Sequence, residues 1–446
     1  MRLANTLLKK IGLTLSIAMM SNTVHSAAFG IAEQSALGLG NAFAGGAASA
    51  EDASTIWYNP AGMTRIKGHQ VVAGLHIITP SFAFSDEGSR TGLGAAIQAD
   101  GTEDGGRAAF VPNFYYIHSI NEGFKLGLGI NSPLGMATKY SDQWVGKYQA
   151  VESEIITVNI NPSIAWKATN NMSLGLGINI QYIEATLNNA VDFTTICYSL
   201  TATTCGALPG SNTNDGFAHI EGDDISFGFN VGLLYQSSEK TRLGLSYRSE
   251  IRHELEGRVD FNTPSSVTAA IPSLGVVFSD SHLSSQPDLP ASASISIYHQ
   301  WNQRLALMAD MSWVGWSSVP NLTIKFDNPY KINSIETLEL NDNLRLSLGA
   351  SYSNGGSWTF RTGLAFDEGA AKDSVSRSPR FPDNDRYWLS FGASYQVSKK
   401  IFIDTGYTHI FVPDTKLKRT GSTGEVIDGT YKSDADIFSA QVRWNI

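Results

Sequence analysis

Apolar side chains alternate one for one with small or polar ones through run after run of this chain, and few folds accommodate that pattern. From Met172 to Tyr182 every even position is apolar. Ile225 to Leu233 repeats the pattern on odd positions, and Leu344 to Ala350 and Phe438 to Ile446 repeat it on even ones. Successive side chains of a strand point to opposite faces, so each run has one greasy face and one wet or small one. Strands are expected near 70–84, 107–119, 123–135, 149–168, 171–187, 224–237, 241–260, 291–300, 303–317, 343–353, 357–366, 386–397, 400–411 and 433–446, about fourteen in all and an even number. Short turns such as Asn121-Glu122-Gly123, Thr169-Asn170-Asn171 and Asn354-Gly355-Gly356 alternate with long connections near 85–106, 136–148, 188–223, 261–290, 318–342, 367–385 and 412–432. A soluble sandwich also alternates, but nothing obliges it to set short against long connections in turn. Short periplasmic turns and long outer loops belong to an all-β fold, a transmembrane antiparallel β-barrel.

Composition points the same way. Only 16% of residues are charged, against about 25% in an ordinary soluble domain, yet the mean hydropathy is only −0.10. Walls with a lipid face and a wet lumen give that combination. The net charge of −9 argues against a nucleic-acid partner. Arg2, Lys9 and Lys10 precede the apolar stretch Ile11 to Met20, and Val24-His25-Ser26 offers small residues before Ala27, the layout of a signal peptide over 1–26. No later run reaches the roughly 18 apolar residues of a spanning helix. The expected location is the Gram-negative outer membrane. Trp166, Tyr235, Tyr298, Tyr352, Tyr395 and Trp444 lie near strand ends at the short turns and are expected to form the periplasmic aromatic girdle. Cys197 and Cys205 lie close together in a polar stretch, as a loop disulfide of an oxidising compartment or as two unpaired thiols.

One segment breaks the alternation. Residues 27–67 are rich in Ala and Gly and precede the barrel at 68–446, so they are expected to form an N-terminal hatch in the lumen. Its centre is Trp57-Tyr58-Asn59-Pro60-Ala61-Gly62, where Asn59 is expected to cap a short helical segment begun by Pro60. Glu33, Glu51 and Asp52 on the hatch are matched by inward arginines Arg242, Arg248, Arg345, Arg361, Arg386 and Arg443, which would tether it by charge-assisted hydrogen bonds. Arg248, Arg345, Arg361 and Arg386, with Trp388, are also the candidates for ligand contact in the lumen. Trp57 and Tyr58 read as packing against the inner wall more than as ligand contacts. In Asn131-Ser132-Pro133-Leu134-Gly135, Pro133 lacks a donor and Gly135 weakens a strand, so the ladder should break there. The break is either a lateral gate or simply the outer end of the strand. Ile271, Leu274, Val276, Val277 and Phe278 form an apolar run inside a long connection, read as a capture surface for a greasy ligand or as loop packing on loop.

Several motifs occur in order: Asn59-Pro60-Ala61, Val111-Pro112-Asn113, Asn131 to Thr138, Tyr247-Arg248-Ser249-Glu250, Trp358 to Asp367, and Pro382 to Ser390. With them the chain resembles the FadL/TodX family of outer-membrane transporters for hydrophobic compounds, over essentially all of its length after the leader. The resemblance implies a fourteen-stranded barrel, an N-terminal hatch plugging the lumen, and a third strand kinked at Pro133. It implies passive uptake of long-chain fatty acids, or alternatively of aromatic hydrocarbons, with sideways release into the membrane. Where fatty-acid importers of the family place basic residues, near the end of the fifth strand and before the tenth, this chain has Asn189 and Asn341. The expected partners are hydrophobic small molecules, outer-membrane lipid and lipopolysaccharide, and the barrel-assembly machinery, with the protein a monomer that needs no cofactor. A general porin and an outer-membrane hydrolase are the rival classes. No G-x-S-x-G, P-loop or H-E-x-x-H motif occurs, and Asp383-x-Asp385 lacks the further oxygen ligands of a calcium loop, so no metal is expected.

Overall fold

A computed structural model describes residues 30–319 and 321–446, so the expected signal peptide and residues 27–29 lie outside the described residues. The wall is a closed antiparallel barrel of fourteen strands. They are β1 (Gln70–Asp86), β2 (Ala109–Ser119), β3 (Phe124–Asn131), β4 (Glu152–Lys167), β5 (Met172–Asp192), β6 (Asp215–Ser238) and β7 (Thr241–Arg248), followed by β8 (Ser292–Gln300), β9 (Leu305–Val314), β10 (Asn343–Ser353), β11 (Trp358–Asp367), β12 (Arg386–Gln396), β13 (Ile401–Phe411) and β14 (Val426–Asn445). Each pairs with its neighbours, and β1 closes on β14 from Gln70↔Asn445 to Asp86↔Gly429. Closure leaves no strand edge exposed to lipid, which a spanning sheet requires.

The alternation maps directly onto the two faces. Ile178, Phe227, Leu348 and Phe438 are each more than half exposed on the outer face of the isolated chain, whereas their strand neighbours Asn179, Ser347 and Ser439 are buried in the lumen. Trp166, Tyr235, Tyr352, Tyr395 and Trp444 lie on the outer face at the short-turn end. Tyr298 does not join them. Ser296 Oγ accepts a hydrogen bond from Ala47 N inside the barrel, so even positions of β8 face inward, and the Tyr298 ring lies 3.8 Å beneath the Arg242 guanidinium.

Several strand expectations are corrected. The stretch 241–260 is not one strand: β7 stops at Arg248, and Ser249 exchanges hydrogen bonds with the Phe229 backbone, turning the chain inward. A second ladder then begins at Leu255–Asn262. β3 stops at Asn131 and resumes as a short piece, Gly135–Lys139. β5 and β6 overrun their expected ends, pairing from Met172↔Tyr235 to Asp192↔Asp215, so 188–192 and 215–223 of the expected connection are strand. β14 likewise begins at Val426, inside the expected connection 412–432.

Candidate functional site

The described part of the N-terminal segment lies inside the barrel. Three four-residue helices, Ala36–Leu39, Gly46–Ser49 and Thr55–Tyr58, lead into a 3-10 turn at Pro60–Arg65. Asn59 Oδ1 accepts from Ala61 N at 3.0 Å, while its Nδ2 donates to Ala47 O at 2.7 Å and to Leu233 O of β6 at 3.0 Å. Asn59 therefore caps the turn and joins two pieces of the segment to the wall. The segment sits so close to the wall that glycine is required opposite it. A Cβ on Gly244 would lie 2.0 Å from Ala47 O, and one on Gly363 would lie 2.1 Å from the Asn41 carbonyl carbon.

Wall arginines hold the segment chiefly by its carbonyls. Arg242 donates to Ala48 O at 2.9 Å and Ser49 O at 2.7 Å, Arg345 to Ala42 O at 3.0 Å, and Arg248 to Trp57 O at 3.0 Å. Of the expected carboxylate tethers, Glu51 pairs with Arg361 at 2.8 Å. Asp52 instead accepts from Gln441 Nε2 at 2.7 Å, and Arg443 pairs with Asp404 of the wall at 3.2 Å. Glu33 is buried, and that burial pushes its carboxyl up from 4.5 to about 7 against the opposing pull of Arg345 and Arg386.

Two apolar cavities flank this segment. The inner one, of about 230 Å³, is bordered by Phe43, Trp57, Tyr58, Leu134, Arg248 and Arg345. Trp57 and Tyr58 border this cavity while also packing, Trp57 on the cluster around Ile56 and Met63 and Tyr58 on Phe43, and the Trp57 ring stacks 3.7 Å from the Arg248 guanidinium. One side of this cavity is a sheet of buried amides. Asn159 donates to Asn131 and Asn179, Asn161 and Asn179 donate to Asn230, and Arg248 donates to Asn179. Nothing in the alternation distinguishes these residues from ordinary lumen polar positions. The outer cavity, of about 480 Å³, is bordered by Glu33, Phe110, Gly135, Ile156, Arg386 and Trp388. Arg361 lines neither cavity, being engaged by Glu51 and Ser394. Gly30, Ile31 and Ala32, with Asp367 of β11, line both cavities, so the Gly30–Ala32 stretch set against Asp367 forms the partition between them.

The outer cavity is bordered by an interruption in the wall. The β2–β3 ladder runs only from Ser119↔Lys125 to Phe114↔Ile130. Beyond it, Gly135–Lys139 forms a ladder with β4 and only an isolated bridge, Thr138↔Gly106, to the chain ahead of β2, so Ala109 to Asn113 of β2 have no ladder partner on that side. Phe110 is 67% exposed and Ile156 44% exposed beside this gap. On the inner side Ile31 N donates to Pro133 O at 3.0 Å and Gln34 Nε2 to Ser132 O at 2.7 Å, tying the partition to the interruption.

At the long-loop end the apolar run is not an exposed strip. It forms two short helices, Ser265–Ala270 and Pro272–Val277, and packs on the helix Phe193–Thr201. Leu274 is buried with Phe193, Cys197 and Val267, Ile271 and Phe278 lie partly buried against them, Val277 is half-buried, and Val276 stays half exposed. Cys197 and Cys205 are joined in a disulfide with their Cα atoms 5.9 Å apart, stapling that cluster.

A family model described as outer membrane protein transport protein (OMPP1/FadL/TodX) matches residues 17–445. The chain belongs to that family. A protein of Escherichia coli O6:H1 named long-chain fatty acid transport protein is 30% identical over 428 residues, covering 94% of each chain. Among solved structures, a Pseudomonas aeruginosa FadL homologue superposes with a TM-score of 0.86 at 25% identity, over 94% of this chain and 100% of that one. The Pseudomonas putida toluene transporter TodX shares the fold, with a TM-score of 0.68 at 16% identity, over 94% of this chain and 100% of that one. Family members are transport proteins of the Gram-negative outer membrane and not enzymes, which sets the hydrolase reading aside.

Proposed function

We propose that this protein takes up long-chain fatty acids across the outer membrane by passive diffusion. The observation that carries the reading is the pair of apolar cavities, which share Gly30 to Ala32 and Asp367 in their linings, with the β3 interruption bordering the outer one. A ligand caught by the long loops enters the inner cavity, its tail against Phe43, Trp57 and Tyr58 and its polar end toward Arg248 and the amide sheet. Shifting the partition joins the two cavities, and the ligand leaves sideways past Phe110 into the bilayer. In this reading residues 27–67 are the hatch, Asn131, Pro133 and Gly135 form the lateral gate, and Glu51–Arg361 is a fixed tether. Each barrel contains its own path and works as a monomer, surrounded by outer-membrane lipid and lipopolysaccharide after insertion by the barrel-assembly machinery.

The name of the E. coli relative supports fatty acids over aromatic hydrocarbons. The test is uptake of labelled oleate and of labelled toluene by cells whose own importers are deleted. Restored oleate uptake, in competition with unlabelled fatty acid, is the expected result. Restored toluene uptake without oleate uptake would overturn it.

A further inference from the structure

The loops above the barrel hold a cation that this path does not use. Lys331 comes from the connection between β9 and β10, between short strands Asn321–Phe326 and Ser334–Thr337. Its Nζ lies 4.1 Å from the ring centre of Phe278, 4.5 Å from that of Phe261 and 5.1 Å from that of Phe326. The rings are fixed by one another: Phe278 meets Phe261 edge-on at 5.4 Å and Phe193 at 4.8 Å, in the cluster stapled by the disulfide. The lysine's loop is fixed as well, because Asn328 Nδ2 donates to Val276 O at 2.8 Å and Asn328 Oδ1 accepts from Tyr330 N at 2.9 Å.

An ammonium group has three donors, and aromatic faces attract its charge without accepting those hydrogens conventionally. Among the described residues the Lys331 ammonium makes no hydrogen bond or ion pair. Burial draws its pKa down to about 8, with no charged group contributing to the shift, so no carboxylate of the protein stands guard over it. The surface beside it is apolar: Val276, Tyr330 and Ile332 are all exposed. A desolvated cation with unspent donors, set on rings and bordered by apolar surface, is complementary to an amphiphile with an anionic head.

We infer that Lys331 is the headgroup anchor of an outer capture site, its ammonium binding the carboxylate of an amphiphile whose tail lies over Val276 and the Phe261–Phe278 rings. The inference rests on the uptake reading and deepens it. It supplies a carboxylate contact in a chain that carries Asn189 and Asn341 where a basic pair was sought.

The experiment measures half-saturation concentrations for uptake of oleate and of oleyl alcohol by cells carrying matched amounts of heat-modifiable, folded barrel. Lys331→Gln is expected to raise the value for oleate about tenfold, to leave oleyl alcohol unchanged, and to be rescued by Lys331→Arg. Lys331→Met, which keeps the alkyl stem on the rings, is held to the same outcome should the Gln variant fold poorly. Unchanged oleate uptake in the folded variants overturns the anchor, as does an equal loss for acid and alcohol, which would make the lysine a packing residue. If the parent protein takes up neither compound, the uptake reading itself fails; if it takes up oleate and the variants match it, only the anchor fails.

Discussion

Glu33 follows the partition directly in sequence and lines the outer cavity, so its protonation state bears on how firmly the partition sits. Its carboxyl is pushed up from 4.5 to about 7 by burial, with Arg345 and Arg386 pulling it down and Asp367 pushing it further up. A group that holds its proton more tightly when docked favours docking at low pH. That support is complete below about pH 4.5 and is lost as pH rises through about 7, a difference of about 3 kcal/mol over the range. The Ile31 amide, which donates to Pro133 O, reports on it. In hydrogen-exchange measurements at pH 5 and pH 8, protection of that amide relative to a Glu33→Gln variant at the same pH should fall at the higher value. An identical pH response in both proteins would refute the assignment. Glu33 was visible in the sequence only as one acid in a small-residue stretch; the groups that act on it, Arg345 of β10, Asp367 of β11 and Arg386 of β12, lie far away in the chain.

The same limit applies to whole elements. Pro133 and Gly135 mark a break in β3 because one removes a donor and the other leaves the strand unsupported. What fills the space behind the break was not legible, since the partner, Ile31, lies about a hundred residues earlier in a segment without periodicity. A Cβ on Gly135 would stand 2.7 Å from Ile31 Cδ1. Gly135→Leu should therefore crowd the partition and abolish oleate uptake while the folded barrel keeps its normal abundance; undiminished uptake by a correctly inserted variant would exclude the gate. β5 and β6 show where alternation itself fails. Beyond Leu187 the alternation lapses, with Asn188 beside Asn189 and Ala190 beside Val191, so the end of β5 read as loop although it pairs with β6 as far as Asp192. Within the membrane, where lipid does select, all fourteen strands were readable.

At the scale of the molecule, the alternation served two purposes and only one was apparent. The small residues between the apolar ones read as a wet lumen face. Several are glycines on which the N-terminal segment rests, with Gly244 against Ala47 and Gly363 against Asn41. Replacing Gly244 by Leu inserts a side chain where a Cβ alone would approach Ala47 O to 2.0 Å. The barrel should remain folded, since β7 keeps its ladders to β6 and β8, but the segment should lose its seat. Planar-bilayer recordings would then show steady ion conductance at least several-fold above that of the parent protein. Equal, low conductance in both would mean that the lumen is blocked by something other than this segment.

The seam between β1 and β14 carries a consequence for biogenesis. Gln70 Nε2 bonds Asn445 Oδ1 across 375 residues of sequence, and the ladder continues from there along the full length of β1. The piece that fills the lumen leaves the ribosome ahead of every barrel strand, yet the enclosure around it cannot be completed until the final strand arrives. Contacts of such long range are slow to form. The segment must therefore wait, unseated, through nearly the whole of synthesis and export, and is trapped when the last hem is sewn. Once that seam is closed it cannot be exchanged.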